Sequence, residues 1–451
     1  MTTLAAPSAA RSRPAPALPG YRFELLKLTA QWRTRALLLV GWLGPGVLVA
    51  AISRQSTLPT DTVFGRWMGQ SGWAGPLVVL SFCCSWVLPL ATSLVAGDVF
   101  AAEDRLGTWR HLLTVVGSPR RIFTTKALAA ATVLLVVVLG LAVSSTAGGL
   151  LAVGPHPLVG LDGHLLGPAR AGATVLLAWA AVLAPTAAFA AVGLLGSVVF
   201  GRSPVGLLLP ALLALVLQLV QLLPLPVVVR AALPGFAFTA WHGLFTSPAQ
   251  TTPLLLGVGV ALAWAVLATA LARHLFLRRD FTGPAHDGSG AGVAVRAVLP
   301  PVGLLAATIG LLAATTPVTG AGVTGPQLET SLATSYAHLY RLQTRELGRP
   351  DVPEAQLRTG ATCDKGGDRV EDSGPGNDWR CVVSWHIPGA TATGSAVYQL
   401  DVTADGRYVA DGDGPQTVNG FFPVPTVTGP GPNPLWQFDG SVDLLATTTK
   451  G

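Results

Sequence analysis

Charge is what this chain has least of. Asp, Glu, Lys and Arg together make up 12% of its 451 residues, half of the residues are apolar, and the mean hydropathy is positive. Such a chain is not an ordinary soluble globule, and most of it belongs in lipid. Cysteine is also sparse, with four in all. Cys83 and Cys84 fall inside an apolar run, which leaves Cys363 and Cys381 for a disulfide. Other absences remove whole classes of chemistry. There is no Gly-x-Ser-x-Gly, no His-Glu-x-x-His, no Cys-x-x-Cys and no Gly-x-x-x-x-Gly-Lys-Ser/Thr loop, so hydrolase, zinc-protease, dithiol and nucleotide-hydrolysing signatures are all missing. The stretch 411–414, Asp-Gly-Asp-Gly, lacks the further ligands of a calcium loop and reads as a turn. No catalytic residue, metal or cofactor is expected in this chain. Nor does any zinc-finger, basic-zipper or RNA-binding pattern appear, so nucleic acid is not an expected partner.

What is present is a series of apolar runs. Spans are expected at residues 36–53, 76–96, 127–153, 171–200, 205–223, 253–271 and 297–315, each close to the length that crosses a bilayer. They divide the chain into a disordered tail (1–20), an interfacial helix (21–35), a six-span core (36–281), a linker (282–296) and a seventh span (297–316). Residues 317–451 form a separate domain. Ionisable groups are nearly absent from the spans, which argues against a proton relay or a charged ion path. Gln218 and Gln221, one turn apart, either line a path or bind one helix to another. Residues 224–252 are apolar but broken by Pro224, Pro226, Pro234 and Pro248. They read as short re-entrant or surface helices, with Trp241 and Phe245 at headgroup depth.

The cations set the orientation. Sixteen Lys and Arg lie before residue 36, in 97–126, at Arg202 and in 273–296, against four in the intervening loops. The positive-inside rule then places the N-terminus and the 97–126 loop in the cytoplasm of a multi-pass plasma-membrane protein. An odd number of spans exports everything after residue 316. Residues 1–316 hold 20 Lys and Arg against 8 Asp and Glu, while the rest hold 9 against 15: a basic membrane part joined to an acidic soluble one.

Residues 97–126 form the one charged segment wedged between two long apolar runs. Val99, Phe100, Leu106, Trp109, Leu112 and Leu113 recur at helical spacing as one apolar face, with Glu103, Asp104, Arg105, Arg110 and His111 on the other. Gly117, Ser118 and Pro119 end this helix. The segment resembles the first cytoplasmic loop of type-2 ABC exporter permeases, through Glu103, Gly107, Thr108, Arg110, Leu112, Leu113, Pro119, Arg120 and Arg121. It departs from that family at Trp109, where an aliphatic residue is usual. The resemblance implies an all-α polytopic membrane domain whose coupling helix contacts a separate cytoplasmic ABC ATPase. That subunit would carry the ATP and Mg, and a second permease, of the same or a related chain, would complete the assembly in membrane lipid. Under this reading the chain moves an amphipathic or lipid-like cargo outward. The alternative is a membrane-anchored binding or sensing protein that transports nothing.

The C-terminal part is expected to be a small α+β domain. Leu328, Leu332, Tyr336, Leu339 and Leu342 mark an amphipathic helix, and Trp379, Cys381, Val383 and Trp385 alternate as one face of a strand. The run Thr403-Ala404-Asp405-Gly406-Arg407 reads as a hairpin turn. A disulfide between Cys363 and Cys381 is expected in the oxidising compartment outside. Leu435, Trp436 and Phe438 are expected to dock an extended strap onto the sheet.

Overall fold

The computed structural model describes residues 17–445 except 56–57, 60–61, 117, 201–207, 210, 214, 217–222, 224, 280, 282–289, 316–321, 368–370, 413–423, 428 and 432. Gln218 and Gln221, and most of the expected fifth span, lie outside the described residues. Helix α1 (Ala17–Ala30) begins four residues earlier than expected. It breaks at Gln31, which has extended backbone, before α2 (Trp32–Ile52). Helix α3 (Ala74–Val95) contains one π turn at Cys83–Val87. Two short helices follow, α4 (Ala101–Leu106) and α5 (Trp109–Val116), and then the long α6 (Pro119–Ala152). Helix α7 (Pro168–Phe200) has a turn at Val182, close to Pro185, which has no N–H to give to the preceding turn. After α8 (Val227–Ala231) come α9 (Thr251–Leu277) and α10 (Gly290–Thr315). Among the described residues five helices, α2, α3, α6, α7 and α9, are long and apolar enough to cross a membrane.

Small residues set how closely these helices pack. Pro45 inside α2 removes one backbone donor, and the next N–H, of Gly46, turns instead to Ser144 Oγ of α6 at 2.9 Å. This is the usual repair of a proline break within a bundle. Gly46 and Gly148 face each other so closely that a Cβ on Gly148 would lie 2.3 Å from the Gly46 carbonyl oxygen. Glycine is required here by space, the small-residue logic of helix pairs in lipid.

The C-terminal region is an antiparallel sheet with a helix across it. Helix α11 (Gly325–Glu346) packs on a five-stranded sheet. A short helix, α12 (Glu354–Leu357), leads from it into the first strand. Strands β1 (Leu158–Val159) and β2 (Leu165–Leu166) form a separate small hairpin between α6 and α7. The main sheet runs β3 (Gly360–Lys365), β4 (Gly376–His386), β5 (Thr393–Val402), β6 (Arg407–Gly412) and β9 (Gln437–Ser441), each strand pairing with the next. Strands β7 (Val424–Thr426) and β8 (Gly429–Gly431) make a small hairpin of their own. Leu328, Leu332, Tyr336, Leu339 and Leu342 are all buried, as are Trp379, Cys381 and Val383. The helical and strand periodicities both point inward. Cys363 and Cys381 stand directly opposite each other on β3 and β4 and are joined by the expected disulfide, a link worth on the order of 3 kcal/mol for a loop this long. Gly406 at φ +88° supplies the left-handed residue of the β5–β6 turn.

This sheet domain and the helical bundle share one apolar core. Phe64, Trp67, Leu158, Leu161, Trp241 and Phe245 from the bundle belong to the same buried cluster as Leu339 and Phe438. Arg66 pairs with Asp439 at 3.2 Å, and Arg230 donates to the Ala404 carbonyl. Trp241 and Phe245 are fully buried in protein, so they pack against other side chains and not against lipid headgroups. Their segment, short helical turns as expected, is roofed by the sheet domain.

Gly148→Ala should overpack the α2–α6 contact and destabilise the chain by about 1–3 kcal/mol. Gly259→Ala, where nothing lies within 4 Å of the added carbon, should leave the thermal unfolding midpoint in detergent unchanged or slightly higher.

Candidate functional site

At the end of the bundle away from the sheet domain, the 97–126 segment is not one helix. Gly107 ends α4 with φ +67° and a left-handed turn, and α5 starts afresh at Trp109. A Cβ on Gly107 would meet nothing within 4 Å, so glycine is needed here for its backbone angle and not for space. The turn resets the helical phase. Val99, Phe100 and Trp109 are buried as expected, but Leu106 is 69% exposed while Glu103 and Asp104, expected on the polar face, are buried. The single two-faced helix is corrected on both counts.

Burying carboxylates is costly unless each is paired and hydrogen-bonded. Here each has a cation. Glu103, 1% exposed, accepts from Lys126 Nζ at 2.7 Å, from Lys27 and from the Thr108 hydroxyl. Lys126, 2% exposed on α6, also reaches Glu24 of α1 at 2.8 Å. Asp98 takes Arg33 at 2.5 Å and Arg105 at 2.6 Å. Asp104 is gripped by both terminal nitrogens of Arg279, which follows α9, and accepts from Trp109 Nε1 at 2.8 Å. Of the eight carboxylates in residues 1–316, four meet in this network.

Aromatic rings close the site. Phe100, Trp109, Phe123, Phe276 and Phe281 lie with centroids 5.0–6.4 Å apart, and the Arg279 guanidinium sits 5.8 Å from the Trp109 ring. The departure from the resembled family at Trp109 thus has a local role, since an aliphatic side chain has no N–H for Asp104. The start of α4 is tied to α7, where Ser197 Oγ accepts from the N–H groups of Phe100 and Ala101 at 3.0 and 2.9 Å. These two N–H groups would otherwise be left unpaired at the helix start.

The site holds charge in place and does not exchange it. Burial raises the Glu103 carboxyl, but the Lys126 ammonium and the hydrogen bonds from Lys126, Lys27 and Thr108 outweigh that and bring it down to about 2. It stays ionised at any ordinary pH and carries no proton. Among the described residues, no group of three or more His, Cys, Asp or Glu is placed to hold a metal.

The sequence-selected residues fall into three sets. Glu103, Gly107 and Thr108 build the lock. Leu112 and Leu113 pack against the aromatic core, and Pro119 opens α6 behind Ser118. Arg110 and Arg120 are exposed and Arg121 is half-buried; with Leu106, His111 and Val115, 72% exposed, they form the outer rim. The network's other members, Glu24, Lys27, Arg33, Asp98, Ser197 and Arg279, were not singled out from sequence. The available signal was the clustering of three carboxylates within seven residues in a chain so poor in them. Comparison with protein-family models, curated proteins and solved structures finds no match to the chain.

Removing one partner strands a buried charge. Lys126→Met should therefore cost about 3–5 kcal/mol by thermal or denaturant unfolding, whereas Arg110→Ala on the rim should change stability by less than about 0.5 kcal/mol. Because the folded-state pKa of Glu103 is depressed, its contribution is complete above the ordinary carboxylate range and is lost as pH falls toward about 2. A pH series should show the loss of stability beginning below about pH 4, and Glu103→Gln should flatten that part of the curve.

Proposed function

We propose that the chain is the membrane subunit of an exporter of the type-2 ABC kind, driven by a separate cytoplasmic ATPase that docks on the rim of α5. In this reading α10 is a seventh span, the charged end of the bundle faces the cytoplasm, and the sheet domain lies outside the plasma membrane. ATP and Mg bind the partner, and the cargo is amphipathic or lipid-like. It passes between this chain and a second permease along a route without fixed charge.

One observation carries the reading. A short, surface-held element has its anions anchored into α1, α2, α6 and the end of α9, and its first N–H groups held by α7, while Leu106 and Val115 on its outer edge are exposed. A push on α5 would reach these helices through charge-assisted contacts and not through a loose loop. The rim, with Leu106 and Val115 among Arg110 and Arg120, suits an acidic-edged apolar groove. The competing reading, a membrane-anchored binding or sensing protein, gives this buried network no use.

Surface variants test the reading without disturbing the lock. Val115→Glu with Arg110→Glu should abolish co-purification of a Walker-loop ATPase from the native host, while the unfolding midpoint stays within a degree or two. Partner binding that survives both changes, or an intact chain with no ATPase partner, would contradict the proposal.

A further inference from the structure

The sheet domain meets the bundle at a cluster that the exporter reading does not use. Asp162, buried in the loop between β1 and β2, accepts from His164 Nδ1 and from the Ser247 backbone N–H at 2.7 Å. His338 of α11 turns Nδ1 to the Asp162 carbonyl oxygen at 3.0 Å, with the Asp162 carboxylate at 3.6 Å. Its other nitrogen, Nε2, lies 3.3 Å from the Glu354 carboxylate of α12. Both ring nitrogens thus face oxygen. A neutral imidazole has one N–H and can satisfy only one of them, whereas the imidazolium donates to both.

We infer that His338 is a proton-operated latch between the sheet domain and the bundle: its charged form bridges Asp162 and Glu354, and uptake of a proton tightens the seat of α11 on the 158–166 hairpin. The surrounding charges are few and mostly paired. Asp162, Glu354 and Asp351 are balanced in part by Arg341, which bonds Asp351 at 2.8 Å and Glu354 at 3.5 Å, and by Arg345 at 3.3 Å from Asp351. The His164 ring stands edge-on to that of His338, with centres 6.1 Å apart. The Tyr408 phenol also feels the Asp162 charge, and the Arg66–Asp439 pair on the neighbouring loop and strand is already matched. Burial raises the Asp162 carboxyl, but the hydrogen bond and charge of His164, the Ser247 N–H and the charge of His338 lower it further, so the anion the latch needs is present. The bridge needs an N–H on both ring nitrogens, so it is complete only in the imidazolium form and is lost when that proton leaves. This inference is independent of the transport reading.

Hydrogen exchange on the full chain in detergent, at about pH 5.5 and about pH 8 and corrected for the intrinsic pH dependence of exchange, tests it. Amides of 158–166, 335–342 and Ser247 should be protected about three- to tenfold more at the lower pH. His338→Gln, which keeps a donor but does not titrate, should abolish the difference, and His386→Gln on β4 should leave it intact. Should His338→Gln fail to fold, Glu354→Gln on the half-exposed partner should at least halve the difference. Equal protection at both pH values, or a difference that persists in His338→Gln or is undiminished in Glu354→Gln, would overturn the inference.

Discussion

One buried ammonium holds the charged end of this protein together. Lys126 sits near the start of the longest helix with two carboxylates against it, Glu103 from the short helix before and Glu24 from the first helix of the chain. Neither carboxylate tolerates burial alone, and the lysine does not either. Their mutual need brings together segments up to 102 residues apart. Such pairs seldom add net stability over a well-packed apolar core, but they are expensive to break and accept one register only. Such a network fixes the short helix to its neighbours in one register.

The two ends of the bundle are built on different principles. At the charged end, helices are joined by ion pairs and a ring of aromatics around Arg279. At the other end, loops are roofed by a sheet domain through a continuous apolar core, with Arg66 reaching strand β9 and Arg230 the β5–β6 turn. Between them the bundle is drawn tight by glycine contacts such as Gly46 against Gly148.

Much of the helical architecture was legible because lipid leaves the backbone few options. The apolar runs expected at 36–53, 76–96 and 171–200 became helices within four residues of those limits, whereas those expected at 127–153, 253–271 and 297–315 extend further at one end, to Pro119–Ala152, Thr251–Leu277 and Gly290–Thr315. Cys363 and Cys381 were readable as a pair because the other two cysteines lie in an apolar run. The period-two pattern at Trp379 and the Asp405-Gly406 turn gave the central hairpins. The fifth strand, Gln437–Ser441, was hidden: its sequence places Asp, Gly and Ser next to Phe438, and only pairing with β6 makes it a strand. The site was half legible. Periodicity located the segment and its exposed arginines, but it extended one helical phase across Gly107, where a left-handed turn begins a new one, and so assigned Glu103 and Asp104 to the surface. Their true partners, Glu24 through Lys126, Lys27 and Arg279, lie 76 and 175 residues away for the two direct pairs, Lys27–Glu103 and Arg279–Asp104, beyond any local pattern. The motif behind the resemblance to type-2 ABC permeases includes Glu103, Gly107 and Thr108 of the lock but not the distant partners Glu24, Lys27 and Arg279.

The central claim is that Glu103 and Lys126 act as one unit fastening the 97–116 segment to the bundle. A double-mutant cycle measures it most directly: unfolding free energies of the wild type, Glu103→Gln, Lys126→Met and the double variant in the same detergent. The account predicts strong non-additivity, with the double variant costing about 1–3 kcal/mol less than the sum of the single changes. Additivity within about 0.5 kcal/mol would show that the two charges do not depend on each other and would contradict the lock.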